Sequence, residues 1–267
     1  MSSAAPHPLL DLYLAAANGQ FPAVDGTVRV LPALAGGIEA SVGFTGHAVV
    51  ATALHPSSVL ARGVDAFGGT LSPPFLCWLA GEAGELGSLD VTLLGRGRGG
   101  GHLPRRHDLD EHPRVRLARG QRRDVEIYGD ERGLVTLSSG LAGRRELSIE
   151  VVSGEQGQGL GRALLGDALG LVPAGEPVFA AVAAGNARSL RAFIRLGFVA
   201  VGCEVIVRPG RQRGVNGQRS GGAGQDLQEE AGERGSNAGE TERGERRAGS
   251  AWAADIASPS GGDGSRL

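Results

Sequence analysis

Gln156-Gly157-Gln158-Gly159-Leu160-Gly161 lies between an apolar run at 147–152, with the spacing of a strand, and an apolar stripe at 160–171, with the spacing of a helix. A glycine-rich turn that ends a strand and opens a helix is an anion site in waiting. The first amide N–H groups of a helix have no partner within it, and the helix dipole adds favourable potential at that end. Gly157, Gly159 and Gly161 would let a phosphate approach the backbone with no Cβ in the way, and Arg162 adds a positive charge. A dinucleotide fingerprint would require a small residue where Arg162 stands, and a P-loop would require a lysine in a chain that has none. Taken alone, the stretch means a phosphate-binding turn or a tight packing turn.

Working outward, the pattern downstream of residue 105 is regular. Residues 112–123 have helical spacing, and 124–128 alternate as a strand. The Gly129-Asp130-Glu131-Arg132-Gly133 cluster then turns the chain into 134–138, which predicts an antiparallel hairpin. After 147–152 and the 160–171 helix come a strand at 178–182, a helix at 187–196 and a closing strand at 198–207. The order is α-β-β-β-α-β-α-β. Before it, 9–17 read as helix, 28–30 and 38–52 as strands, 59–67 and 74–80 as short helices, and 88–94 as strand. The run Gly95-Arg96-Gly97-Arg98-Gly99-Gly100-Gly101 reads as a flexible break between these regions.

Asn186-x-x-Ser189-x-x-x-Phe193-x-x-Leu196-Gly197-Phe198 follows at a fixed distance. Together with Gln156-x-x-Gly159-x-Gly161 and Ala163-Leu164-Leu165 behind it, it resembles the paired motifs of the GNAT superfamily of N-acetyltransferases. The resemblance covers roughly 106–209, most strongly 146–207. It implies a mixed α/β (α+β) fold, a mostly antiparallel sheet with flanking helices, and acetyl-CoA as cosubstrate. In such a fold the strands at 147–152 and 178–182 splay and the pantetheine arm lies between them. Val151 and Val152 would then pair with the pantetheine amides, and Gln156, Gly157, Gln158, Gly159, Leu160, Gly161 and Arg162 would hold the pyrophosphate. Asn186 would contact the pantetheine, with Arg188, Ser189 and Phe193 beside the cofactor.

The implied reaction is direct attack of a primary amine on the thioester. An ammonium of pKa near 10.4 must first lose a proton, and the departing thiolate must gain one. Glu146 and Glu150 share the strand face opposite Leu147, Ile149 and Val151 and are the candidate bases, with Glu146 preferred because it is further from the pyrophosphate end; a solvated strand face is the plain alternative. Phe193 stands where the family often carries a tyrosine acid, and Tyr128 and Cys203 are the available substitutes. The expected activity is therefore acyl-CoA-dependent N-acylation of a small molecule, peptide or protein, the alternative being a non-catalytic acyl-CoA-binding or sensing domain. No metal is expected: His107-Asp108-x-Asp110-Glu111-His112 has ligand types but the spacing of a helix entrance.

Composition sets the frame. The chain has 267 residues, 41% of them apolar, and a net charge of -2, which gives no reason to expect a nucleic acid or an anionic membrane as partner. No run is long enough to cross a bilayer and the first residues lack a signal-peptide plan, so a cytoplasmic protein is expected. Cys77 and Cys203 read as a reduced, buried pair, and Asp11, His47 and His55 as cap, loop or core residues. The absence of lysine beside 46 glycines reads as GC-rich coding, as in actinobacteria. Three regions follow: an α/β segment at 1–100, whose role (homodimer surface included) is open; the GNAT-like domain at 105–209; and a Gly, Ser, Arg and Glu-rich tail at 210–267, expected to be disordered.

Overall fold

The computed structural model describes residues 5–152 and 159–211. Helix α1, Pro8–Ala17, begins where His7 turns its ring onto the first turn and accepts a hydrogen bond from the Leu9 N–H. The same device opens α2, Pro56–Leu60, with His55, and α4, Pro113–Gln121, with His112. In each case proline at the first helical position supplies the required φ and has no N–H to orphan, so a His-Pro dipeptide encodes the start. Helix α3 is Pro73–Ala80, α5 is Leu160–Gly170 and α6 is Ala187–Arg195. The strands are β1 Val28–Leu31, β2 Glu39–Phe44, β3 His47–Ala51, β4 Glu85–Leu86 and β5 Asp90–Arg96, then β6 Arg123–Asp130, β7 Gly133–Ser139, β8 Arg145–Val151, β9 Pro177–Ala183 and β10 Val199–Arg208.

Among the described residues these ten strands form one sheet in the order β1-β3-β2-β10-β5-β9-β8-β7-β6, with β4 pairing the end of β10. The β1–β3 and β8–β9 pairs are parallel and the other pairs antiparallel. This is the mixed, mostly antiparallel sheet with flanking helices that the sequence predicts, and from α4 onward the element order is as expected. The helical reading of 59–67 does not hold in full: α2 ends at Leu60 and a short 3-10 turn at Gly69–Leu71 follows.

The division near residue 100 does not coincide with a division of the sheet. β10 lies between β2 and β5, and β5 lies between β10 and β9, so strands from the two halves alternate. The glycine run at 95–101 is pinned rather than loose. β5 continues to Arg96, and the N–H groups of Gly97, Arg98, Gly99 and Gly101 donate to the carbonyls of Glu176, Leu169, Val172 and Gly170 at 2.8–2.9 Å. Glycine serves close approach there: a Cβ on Gly101 would sit 2.5 Å from the Gly170 carbonyl carbon. At the other end Arg211 pairs with the buried Glu39 carboxylate at 2.5 Å, so packing continues two residues past the expected boundary at Pro209. The expected disordered tail otherwise lies outside the described residues.

Apolar side chains gather in three places. One core sits under α1, where Tyr13 meets Phe44 and Phe179 with ring centroids 5.9 and 5.6 Å apart. A second packs α5 and α6 on the opposite face of β5, β7, β8 and β9, through Leu147, Leu164, Leu165 and Val182. A third joins α2 and α3 to Val50, Val205 and Val207. Contact of apolar surface across both faces fixes which way each strand turns. Cys77 is exposed, Cys203 is half-buried and both are free thiols, so they do not form the buried pair expected.

Candidate functional site

β8 and β9 run parallel yet pair at a single position, Glu146 with Phe179. Beyond it no strand of the described residues pairs with β8 on its β9 side. A parallel pair that separates leaves backbone N–H and C=O groups facing a gap, the template on which an extended ligand can add as a strand. The gap is closed at one end and open at the other. Phe179, Glu146 and Leu147 are buried, whereas Ile149, Glu150 and Val151 on one wall and Ala181 and Ala183 on the other are partly exposed.

Beneath the closed end lies a buried charge network. The Arg144 guanidinium, fully buried, forks onto Glu204 with two contacts of 2.7 Å and reaches Glu146 at 3.1 Å. Arg122 holds the other oxygen of Glu146 at 2.6 Å. Tyr13 and Thr92 donate their hydroxyls to Glu204 at 2.9 and 2.6 Å, and the Arg144 guanidinium stacks 4.5 Å from the Tyr13 ring centroid. Burial alone would lower the Arg144 pKa, but the charges of Glu204 and Glu146 hold it above its ordinary value. Burial would likewise raise Glu146, but the charges of Arg122 and Arg144 hold its carboxyl below the usual range. Paired charges of this kind tolerate burial because each lone pair is met.

Glu146, the preferred base from sequence, is thus 3% exposed and locked between two arginines. The solvated strand face weighed for it does not exist at this position. Glu150 is different: its side chain is 39% exposed and lies 3.8 Å from Nε2 of His112. The His112 Nδ1 accepts from the Arg114 N–H at 3.2 Å as the cap of α4, which leaves the ring proton on Nε2, facing Glu150. Both line a cavity of about 490 Å³ with Arg106, Leu109, Asp130 and Val151. The acidic segment before α4 acts as a helix entrance: Arg106 pairs with Asp108 at 2.6 Å and Arg119 with Asp110 at 2.7 Å. Among the described residues no group of three His, Cys, Asp or Glu is placed to hold a metal ion.

Of the expected cofactor residues, Gln156, Gly157 and Gln158 lie outside the described residues. Gly159 caps α5 with φ of 82°, and a Cβ there would meet none of the described residues within 4 Å. Leu160 and Gly161 form the first turn, Gly161 against Val151, and Arg162 is exposed beside them. Val151 and Val152 end β8, the Val152 N–H donating to the Arg132 carbonyl at 3.0 Å. Asn186 caps α6 by accepting from the Ser189 N–H at 3.0 Å, so this pair has a structural role whatever else it touches. Phe193 is 3% exposed and packs edge-on against Phe198 at 4.9 Å. Tyr128 donates to Glu126 at 3.0 Å.

Sequence reasoning missed Arg122, Arg144, Tyr13, Asp90 and Glu204. One of them carried a readable signal: Glu204 is the charged residue within the otherwise apolar run 199–207. The network itself joins residues 191 positions apart and has no local signature.

Fold and site together define an α/β protein with a forked parallel strand pair, a helix N-terminus nearby and a charged floor. No family model and no curated protein matches the chain. Among solved structures, a protein assigned as a GNAT-family acetyltransferase from Novosphingobium aromaticivorans DSM 12444 is similar at 14% identity and a TM-score of 0.34. The match covers 48% of this chain and 66% of that one. A functionally unknown conserved protein from Staphylococcus epidermidis ATCC 12228 is similar at 15% identity and a TM-score of 0.33, over 51% of this chain and 67% of that one. The chain therefore spans about two thirds of the length of each. No helix of the described residues is long and apolar enough to cross a membrane.

Proposed function

We propose that this chain is an acyl-CoA-dependent N-acyltransferase, with acetyl-CoA as the simplest donor and a primary amine as acceptor. The observation that carries the reading is the β8–β9 fork, one register pair at Glu146 and Phe179 followed by separation. A pantetheine arm is an extended chain with two amides, and the open strand edges offer the backbone groups to pair with them. At the head of the fork the α5 N-terminus, with Gly159, Gly161 and Arg162, suits a pyrophosphate. Backbone N–H groups left free in the gap can polarise the thioester carbonyl as the amine attacks.

Of the two carboxylates proposed as catalytic, Glu146 is better suited to anchoring the closed end of the fork through Arg122 and Arg144. Glu150, partly exposed at the open end, suits an incoming ammonium. Thiolate is a tolerable leaving group, so the buried, protonless Phe193 ring does not prevent transfer, water being able to supply that proton.

The same two observations, a locked Glu146 and a buried Phe193, favour a second reading in which the chain binds acyl-CoA without transferring the acyl group. Purified protein incubated with acetyl-CoA and a panel of alkylamines, polyamines and lysine peptides separates them. Thiol release above background supports the enzyme, while CoA binding without release on any amine supports the sensor. Gly159→Glu is expected to abolish CoA binding by calorimetry, because it adds a negative charge at the α5 N-terminus and forces a side chain onto a positive φ. Unchanged affinity would sink the pyrophosphate assignment.

A further inference from the structure

Each wall of the fork belongs to a complete antiparallel ladder. β8 pairs with β7 along its whole length, from Arg145 opposite Ser139 to Val151 opposite Gly133, and β7 pairs in turn with β6. β9 pairs with β5 from Pro177 opposite Arg96 to Ala183 opposite Asp90, and β5 pairs in turn with β10. Among the described residues the two ladders are joined in register only at Glu146 and Phe179. One parallel pair holds two half-sheets weakly, because its slanted bonds are less stable than antiparallel ones. The packing of α5 and α6 over the opposite face adds apolar contact, which has no direction. Directional alignment of the walls is left to the vertex.

Arg144 reaches from one ladder to the other there. It stands one residue before β8, in the turn that follows β7, where its carbonyl accepts from the Gly140 N–H at 2.8 Å. Its guanidinium touches both members of the register pair: Nη2 donates to Glu146 at 3.1 Å, and Cζ lies 5.5 Å from the Phe179 ring centroid. From the far ladder, Glu204 of β10 accepts from both Nη atoms at 2.7 Å, and Thr92 of β5 donates to the same carboxylate at 2.6 Å. Tyr13 of α1 stacks on the guanidinium, meets Phe179 edge-on and donates to Glu204. A planar cation bonded to two carboxylates and stacked on a ring is fixed in both position and orientation.

We propose that Arg144 is the positioning residue of the fork: it sets how the β8 and β9 walls stand to one another, and so whether an extended pantetheine arm can pair between them. The proposal rests on the acyl-CoA reading. Successive residues of a strand are about 3.3 Å apart, so a slip of one residue at the vertex carries the edge N–H and C=O groups of β8 by that distance past β9. An arm that spans the gap would then meet one wall or the other, but not both. The pyrophosphate seat lies outside the vertex, because Gly159, Gly161 and Arg162 belong to the head of α5 and move with it. Arg144 therefore acts on the arm and not on the phosphates. A role for the N-terminal region follows, since Tyr13 and Thr92 hold Glu204 where Arg144 can grip it.

The experiment uses the full chain as wild type, Arg144→Lys and Tyr13→Phe. Calorimetry measures the affinity of each for CoA and for 3′-phospho-ADP, which is CoA without its pantetheine arm, and thermal melting is recorded alongside. Lysine keeps the charge but loses the fork and the stack, whereas phenylalanine keeps the ring and loses only the hydroxyl bond to Glu204. CoA affinity is expected to fall about tenfold in Arg144→Lys and about threefold in Tyr13→Phe, with 3′-phospho-ADP affinity within about twofold of wild type in both. A purely structural role would lower the melting temperature without separating the two ligands. Should Arg144→Lys fail to melt cooperatively, Tyr13→Phe carries the test. Unchanged CoA affinity in a variant that folds, or equal losses for the two ligands, overturns the Arg144 assignment alone. A wild type that binds CoA no more tightly than 3′-phospho-ADP overturns the acyl-CoA reading of the fork, and this assignment with it.

Discussion

At the residue scale the molecule separates its carboxylates by their neighbours. Glu146 is held ionised by Arg122 and Arg144, while Asp90 is burdened by burial and by the charges of Glu204 and Glu146. The two have opposite consequences for stability. Asp90 has a folded-state pKa of about 6, raised from 3.8, so the fold prefers its protonated form. Its ionisation costs nothing below the unfolded value, costs more as pH rises between the two values, and reaches its full cost above the folded one. Asparagine cannot ionise. Asp90→Asn is therefore expected to be more stable than wild type at pH 8 by about 1–2 kcal/mol, the two-unit shift reduced for partial solvent access. The advantage should shrink steadily on going down to pH 5, as urea unfolding at several pH values would record. Parallel stability curves would mean that the carboxylate is not strained.

At the element scale, local chemistry sets where helices begin. His7, His55 and His112 each accept from the N–H two residues on, each before a proline. His112→Ala should cost roughly 1 kcal/mol, the usual loss for a missing cap, whereas His112→Asn should cost nothing measurable because asparagine caps as well. Equal losses in urea unfolding would assign the cost to the Glu150 contact instead of the cap. This is also the scale at which the sequence was most legible. Apolar period and turn residues located the elements from α4 to β10 to within a few positions, because strands and helices announce themselves through near neighbours. The paired glycine and asparagine motifs marked the same fork that the β8–β9 register displays. What they could not convey was that Glu146 would be buried, since Arg122 sits 24 positions before it and Glu204, which shares Arg144 with it, lies 58 positions after it. Nor could a glycine run announce that its N–H groups would be taken up by the end of α5 and the approach to β9.

At the scale of the whole molecule, lateral strand order decides what can fold alone. The segment 105–209 has the element order of a self-contained domain, yet its last strand has no neighbour from within it: β10 pairs with β2, β4 and β5. β9 would keep only its single contact with β8. Removing residues 1–100 would also take Tyr13 and Thr92 from Glu204 and strip Leu9, Tyr13 and Phe44 from the core over Phe179, leaving Arg144, Glu146 and Glu204 a buried charge network with one side open. A ten-residue strand with neither neighbour, together with exposed charges in an opened core, cannot offset the entropy of ordering the chain. A fragment of residues 101–211 is therefore expected to show no cooperative thermal transition and no dispersed amide spectrum, while residues 1–211 show both. A fragment that melts cooperatively on its own would mean that β10 can find a different partner.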